Sequence, residues 1–207
     1  MKIGFIGLGI MGAPMALHLL NAGHQLFVKS GRRIPESVAA SSAIPCADAA
    51  EVTRQAEVVF LMLPDTPDVE SVLFGEGGVA SALQAGATGQ RKVVVDMSSI
   101  SPMATKAFAQ KINAAGADYI DAPVSGGEVG AKAASLTIMC GGDPAVFETV
   151  RPLQPSHMPP RARSAGSSAG WRARDIVQSI SCYQDNSQTH RLGCRPQRTL
   201  RGLHRRY

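Results

Sequence analysis

The feature that most constrains this chain is a glycine pattern near its amino terminus, with glycines at positions 7, 9 and 12. The pattern follows a short β-type run, residues 2–6, and opens a segment with helical spacing, residues 10–22. In that context the first glycine permits a tight turn, the second lets a phosphate approach the backbone, and the third lets helix and strand pack closely. The helix N-terminus adds amide donors for an anion. We predict that a dinucleotide is bound by Gly7, Leu8, Gly9, Ile10, Met11 and Gly12. The alternative is a purely structural glycine turn.

Apolar strands alternate with amphipathic helices along residues 1–153. The spacing predicts strands over residues 2–6, 24–29, 57–62, 92–96, 118–121 and 135–140. It predicts helices over residues 10–22, 47–56, 102–115 and 144–150, with Ser101 as the cap of the third. Strands that are apolar throughout are typical of a parallel sheet covered on both faces. We therefore predict a doubly wound, Rossmann-type α/β fold with a mainly parallel sheet.

The end of the second strand bears on the choice of cofactor. An acidic residue there would bind the ribose 2′-hydroxyl of NAD. This chain instead has Lys29, Ser30, Arg32 and Arg33, with no carboxylate among them. Two guanidinium groups suit a 2′-phosphate, so NADP is the predicted cofactor and NAD the second choice. A solvated basic loop is the alternative interpretation.

Three later motifs also follow predicted strands, at the edge where such sheets bind ligands. Leu63 and Pro64 follow one strand, and Ser98 and Ser99 follow the next. The third motif, residues 125–127, is a serine followed by two glycines, whose hydroxyl and amide groups suit a carboxylate. Each motif taken alone also fits an ordinary turn or helix cap.

The composition changes after Leu153. Residues 1–153 carry 11 basic and 14 acidic side chains, whereas residues 154–207 carry ten arginines, no lysine and two aspartates. Neither helical nor strand periodicity continues there. We expect residues 1–153 to form the dinucleotide-binding domain and residues 154–207 to be an irregular basic tail, disordered or translated from a shifted frame. The alternative is an evolved tail that binds nucleic acid.

Cysteine and histidine usage bounds the remaining classes. The four cysteines form no CxxC pair and are too few for a disulfide scaffold, so reduced thiols and a cytoplasmic location are expected. His18 and His24 have no cysteine or carboxylate close in sequence, so no metal site is expected. Glycines interrupt the uncharged residues 3–28, which argues against a signal peptide or a membrane partner.

Taken together, four motifs resemble the β-hydroxyacid dehydrogenase family. They are GFIGLGIMGAPMA, LPDTPDVESVLFG, VVDMSSISP and DAPVSGGEVGA, in this order. The resemblance covers residues 1–153 and is strongest to members that reduce tartronate semialdehyde. It implies NAD(P)H-dependent reduction of a small carboxylate-bearing aldehyde to a hydroxyacid. It also implies a Rossmann domain followed by a helical domain that forms a homodimer, and that helical domain is not visible in this sequence.

The resemblance also implies roles for the motif residues. Leu63 and Pro64 would lie along the dinucleotide, and Ser98 or Ser99 would lie near the nicotinamide ribose. Ser125, Gly126 and Gly127 would bind the substrate carboxylate.

The proton donor of the family is a lysine in a G-x-x-x-K-x-x-N pattern. The last lysine here is Lys132, and the nearest match to the pattern has Arg174 in the lysine position. A guanidinium keeps its proton, so it polarises a carbonyl but does not act as a general acid. We expect no catalytic residue in this chain, dinucleotide binding with little turnover, and a homo-oligomer only with the helical domain present.

Overall fold

A computed structural model describes residues 1–83 and 91–153. Its main sheet is made of β1 (Lys2–Ile6), β2 (Gln25–Lys29), β3 (Ile44–Pro45), β4 (Val58–Leu61), β5 (Val93–Asp96) and β6 (Asp118–Asp121). All neighbouring strands are parallel, and their order is β3-β2-β1-β4-β5-β6. The chain therefore builds outward in both directions from β1, with a switch point between β1 and β4. The predicted doubly wound fold is confirmed.

Helices and a small hairpin connect these strands. The helices are α1 (Gly12–Asn21), α2 (Glu36–Ala39), α3 (Ala49–Gln55), α4 (Thr66–Phe74), α5 (Pro102–Ala114), α6 (Gly127–Lys132) and α7 (Pro144–Val150). Short 3₁₀ turns span Val79–Ala82 and Arg151–Leu153. A second, antiparallel pair is formed by β7 (Val124–Ser125) and β8 (Thr137–Ile138).

The core follows from the apolar strands. All four residues of β4 and of β5 are buried, as is β1 after its first residue. Phe5 and Phe60 are partners in the sheet register, and their rings stack with centroids 6.1 Å apart. Burial of each such side chain contributes roughly 1.5–3 kcal/mol, so the sheet centre holds the loops at its edge in place.

Several element bounds differ from the sequence-based prediction. The first helix begins at Gly12 rather than residue 10, because residues 7–11 form the turn. The strand predicted over residues 135–140 shrinks to β8, because the Ser135 amide donates to the Gly130 carbonyl instead of to a strand. Ser101 does precede α5, but its side chain makes no capping hydrogen bond, and its amide donates to Thr66 Oγ1 at 3.2 Å.

Five of the strands and helices were not predicted, namely β3, β7, α2, α4 and α6. The two missed strands have two residues each, and the two shortest of these helices are too short to show a periodicity. The predicted basic tail, residues 154–207, lies outside the described residues, as does Arg174 within it.

The start of α3 carries a reciprocal cap. The Asp48 carboxylate accepts a hydrogen bond from the Glu51 amide at 2.6 Å, and the Glu51 carboxylate accepts one from the Ala47 amide at 2.6 Å. This pair satisfies two amides that the helix itself leaves without partners. Val52 of this helix packs against Gly4 in β1. The cap therefore stabilises a helix that covers the central strand.

Replacement of this cap should destabilise the fold. We expect Asp48→Ala to lower the free energy of unfolding by about 1 kcal/mol, measured by urea denaturation. Glu76→Ala, which removes an exposed loop carboxylate, is the matched control and should change it by less than about 0.5 kcal/mol. Equal midpoints for the two variants would contradict the capping role.

Candidate functional site

The glycine-rich turn lies at the carboxyl end of β1, beside the switch point. The Gly7 amide donates to the Lys29 carbonyl at 2.9 Å, and Gly7 has a φ of +100°. A Cβ at Gly7 would overlap the Met62 carbonyl, and a Cβ at Gly12 would overlap the Gly7 carbonyl. A Cβ at Gly9 would meet nothing within 4 Å. Gly7 and Gly12 therefore pack directly against neighbouring backbone, whereas Gly9 leaves the outer face of the turn open.

The start of α1 is suited to an anion. No side chain caps it and no acidic residue occupies its first turn. The first amides of a helix have no partner inside the helix and carry its positive end. Around them, Leu8 is buried, Met11 is partly buried and Ile10 is 70% exposed. Leu8 therefore belongs to the core, whereas Gly9 and Ile10 form the exposed part of the turn.

The end of β2 presents positive charge. Lys29 and Ser30 are half-buried, and Arg32 and Arg33 are exposed. The Ser30 hydroxyl accepts a hydrogen bond from the Arg32 amide at 3.3 Å, which shapes the turn. Neither guanidinium forms an ion pair with a described residue. Both are thus available to a phosphate at this side of β1.

The loops after β4 and β5 are joined to each other. The Leu63 amide donates to Ser98 Oγ at 3.0 Å. The Leu63 side chain also reaches the glycine turn, because its Cδ2 lies 3.1 Å from the place of a Cβ on Gly7. Pro64 and Ser99 are exposed at this edge, whereas Ser98 is fully buried. The structure therefore brings Ser98, rather than Ser99, into contact with the Leu63 loop.

Sequence reasoning missed a buried acidic cluster beside Ser98. Asp96 is fully buried, and its carboxylate accepts hydrogen bonds from the Tyr119 hydroxyl at 2.7 Å and from the Ser98 amide at 3.0 Å. Asp121 is its partner in the sheet register, on the neighbouring strand. The available signal was an aspartate at the end of each apolar strand, in VVVD and DYID.

Burial dominates the electrostatics of this cluster. It raises the pKa of Asp96, an effect opposed by hydrogen bonds from Ser98 and Tyr119. Burial, followed by repulsion from Asp96, raises the pKa of Asp121 to about 7. The pKa of Tyr119 is raised as well, first by burial and then by the Asp96 charge. The cluster thus resists holding two negative charges at once.

The Ser-Gly-Gly motif connects β7 to α6. Ser125 is exposed, and Gly126 and Gly127 have φ values of +134° and +59°. The open side of Gly127 has no heavy atom within 4 Å of a built Cβ. Its helix is attached to α1, because His18 Nε2 lies 3.0 Å from the Ala131 carbonyl and 3.1 Å from that of Lys132. The motif is therefore carried on a helix that packs against the helix of the glycine turn.

Residues 1–83 and 91–153 contain neither a cluster of metal ligands nor a helix that could cross a membrane. No group of three or more His, Cys, Asp or Glu there is arranged to hold a metal ion. None of the helices in these ranges is long and apolar enough to cross a membrane.

A family model described as the NAD binding domain of 6-phosphogluconate dehydrogenase matches residues 2–155. The chain belongs to this family. The resemblance inferred from the four motifs is confirmed, and so is the nicotinamide dinucleotide as the class of cofactor for the domain.

Curated relatives are named as oxidoreductases. The 2-hydroxy-3-oxopropionate reductase of Escherichia coli is 53% identical over 153 residues, which are 74% of this chain and 51% of the relative. The 2-(hydroxymethyl)glutarate dehydrogenase of Eubacterium barkeri is 44% identical over 153 residues, which are 73% of this chain and 49% of the relative. The chain therefore spans about half the length of these relatives.

Two solved structures likewise match most of this chain but only about half of their own length. The 3-hydroxyisobutyrate dehydrogenase of Mycobacterium tuberculosis, solved with L-serine, has a TM-score of 0.65 at 32% identity and is matched over 73% of this chain and 50% of its own. Psf3 in complex with NADP+ and 2-OPP has a TM-score of 0.65 at 31% identity and is matched over 73% and 52%.

The acidic cluster should make stability depend on pH. A carboxyl whose pKa rises from 3.8 to about 7 on folding binds more protons in the folded state between those values. The free energy of unfolding therefore falls as pH rises through this window. Between pH 5 and 7.5, measured by urea denaturation, we expect Asp121→Asn to reduce that fall by roughly 1–2 kcal/mol after allowance for solvent screening.

The exposed carboxylate of Asp68 provides the control. Asp68→Asn should leave the difference in stability between the two pH values as it is in the wild type. If all three proteins lose the same stability over this range, Asp121 is not the group responsible.

Proposed function

We propose that this domain binds NADP(H) in preference to NAD(H) and serves the reduction of a small carboxylate-bearing semialdehyde. The observation that carries the proposal is the glycine turn at the switch point between β1 and β4. Gly7 and Gly12 leave no room for a side chain, and Gly9 faces open space. That combination suits a pyrophosphate, which must approach the backbone at the second glycine.

The residues present fit the proposed dinucleotide along its length. The uncapped start of α1 suits the two phosphates. Lys29, Arg32 and Arg33 lie at the end of β2, on one side of the turn, and suit a ribose 2′-phosphate. Leu63 follows β4 on the other side, where the buried Ser98 holds its amide, and it suits the nicotinamide half. The reduced nicotinamide, when bound, supplies a hydride.

The Ser125-Gly126-Gly127 segment is the proposed site of the substrate carboxylate. All three residues are exposed, at the end of β7 and the start of α6. Amides at such a turn hold an anion without bringing in a second charge. The attachment of α6 to α1 through His18 supports a carboxylate site close to the dinucleotide.

The substrate class rests on the relatives. Both the 2-hydroxy-3-oxopropionate reductase and the 2-(hydroxymethyl)glutarate dehydrogenase are named for small acids with an oxidisable or reducible carbon. Because this chain is 53% identical to the 2-hydroxy-3-oxopropionate reductase over 153 residues, we propose the same substrate for it. This compound is tartronate semialdehyde. The reaction adds a hydride to the aldehyde carbon and a proton to its oxygen, giving the hydroxyacid.

Catalysis by this chain is limited by the supply of the proton that the aldehyde oxygen must receive. Asp96 and Tyr119 are buried, and their hydrogen bonds are directed at each other and at Ser98. The sequence has no lysine after Lys132, and a guanidinium such as that of Arg174 does not release its proton at ordinary pH. We therefore propose that these 207 residues bind the dinucleotide and turn over slowly.

Cofactor preference is tested by a charge reversal at Arg32. We expect the wild-type chain to bind NADPH more tightly than NADH, and Arg32→Glu to weaken NADPH binding by at least about 10-fold through loss of a charge-assisted contact. Fluorescence titration with each nucleotide gives the two affinities. Lys2→Glu makes the same charge change at the opposite end of β1 and should alter neither. Equal affinities for the two nucleotides, unaffected by Arg32→Glu, would show that the basic turn has no part in cofactor choice.

Turnover is tested by joining residues 1–153 to the part of a relative that this chain does not match. In one chimera, residues 1–153 are joined to the remaining half of the Escherichia coli 2-hydroxy-3-oxopropionate reductase. We expect it to consume NADPH with tartronate semialdehyde at least about 100-fold faster than the 207-residue chain, since general acid catalysis alone contributes that much. The full E. coli enzyme is the positive control. Rates within tenfold of each other would mean that the 207 residues already contain an effective proton donor.

A further inference from the structure

We infer that Asp96 is a positioning residue for the nicotinamide half of the dinucleotide, acting through Ser98 on the Leu63 loop. The inference rests on the proposed function, because it takes the ligand to be a nicotinamide dinucleotide. It concerns a buried carboxylate that has no direct access to a ligand, since Asp96 is fully buried.

A chain of hydrogen bonds connects three neighbouring strands at the ligand edge. The Tyr119 hydroxyl, on β6, donates to Asp96 Oδ2 at 2.7 Å. The Ser98 amide, just after β5, donates to Asp96 Oδ1 at 3.0 Å. Ser98 Oγ then accepts from the Leu63 amide, after β4, at 3.0 Å. The position of the Leu63 backbone thus depends on the place of Ser98, which depends on Asp96.

The Leu63 end of this series of hydrogen bonds touches the glycine turn. The Leu63 Cδ2 atom lies 3.1 Å from the place of a Cβ on Gly7, and the Met62 carbonyl closes the other side of that glycine. A shift of the Leu63 loop would therefore change the wall of the turn on its β4 side. The basic residues at the end of β2 lie beyond β1 in the strand order and have no part in these hydrogen bonds.

The two oxygens of the Asp96 carboxyl group explain why both donors can converge on it. An ionised carboxylate only accepts, so an amide and a hydroxyl can both point at it without competition. Asparagine has the same size but presents one amino group, which would face one of these two donors. A buried donor left without an acceptor forces its neighbours to move. Asp96→Asn should therefore displace Ser98 while it leaves the apolar core unchanged in volume.

Two ligands of different length separate positioning from general damage. NADPH spans both sides of the switch point, whereas adenosine 2′,5′-bisphosphate covers only the adenine side. We expect Asp96→Asn to weaken NADPH binding by about 10-fold and to leave bisphosphate binding within twofold of the wild type. Fluorescence and calorimetric titrations of the full 207-residue chain give the two affinities.

Two further variants keep the test decisive. Tyr119→Phe removes one donor from the far side of Asp96 and should weaken NADPH binding about threefold, again without an effect on the bisphosphate. It provides the measurement if Asp96→Asn does not fold. Thr53→Val removes another fully buried hydroxyl, one that donates to the Ala49 carbonyl within α3, and should change neither affinity.

The outcomes are distinguishable. Selective loss of NADPH affinity in Asp96→Asn or Tyr119→Phe supports the inference. Equal loss of both ligands, or loss of neither, overturns it and leaves the proposed function standing. A wild-type chain that binds neither ligand overturns the proposed function, and the inference with it.

Discussion

The close approach between the end of β1 and the start of α1 is the contact on which the site depends. The Gly12 backbone lies so near the Gly7 carbonyl that no side chain fits between them, and Gly7 is closed in the same way by the Met62 carbonyl of the β4 loop. A larger residue at Gly12 would push α1 away from the end of β1, and one at Gly7 would collide with the backbone that follows β4. The uncapped start of α1, the open face at Gly9 and the contact with Leu63 all lie around the turn that this approach closes.

The polar groups at the carboxyl edge are arranged from buried to exposed. Asp96 and Ser98 are both fully buried and joined by a hydrogen bond, Tyr119 also donates to Asp96, and Pro64 and Ser99 are exposed at the surface. A buried carboxylate is costly unless donors satisfy it, and here the neighbouring strand and the following turn supply those donors. Rigid side chains beneath a binding edge reduce the ordering cost that a ligand must otherwise meet.

The sequence predicted the sheet and the glycine turn because both depend on local patterns. The apolar runs at residues 57–62 and 92–96 are long enough and apolar enough to predict buried strands, and they form β4 and β5. The Asp96–Tyr119 pair was not predictable, because its members are 23 positions apart and meet only through strand register. For the same reason the choice between Ser98 and Ser99 needed the structure. The helix α6 was missed because its first residue, Gly127, resembles the continuation of a turn.

The link between His18 and the end of α6 has a consequence for how the domain folds. His18 lies 113 and 114 positions from its two partners, so the loop that this contact closes includes every strand of the parallel sheet except β1. Closing so long a loop is entropically costly until the intervening strands have paired. A nascent chain must therefore complete β6 and α6 before His18 finds its carbonyls. We therefore expect the α1–α6 contact to form late in folding, although α1 precedes every other helix of the described residues in the chain.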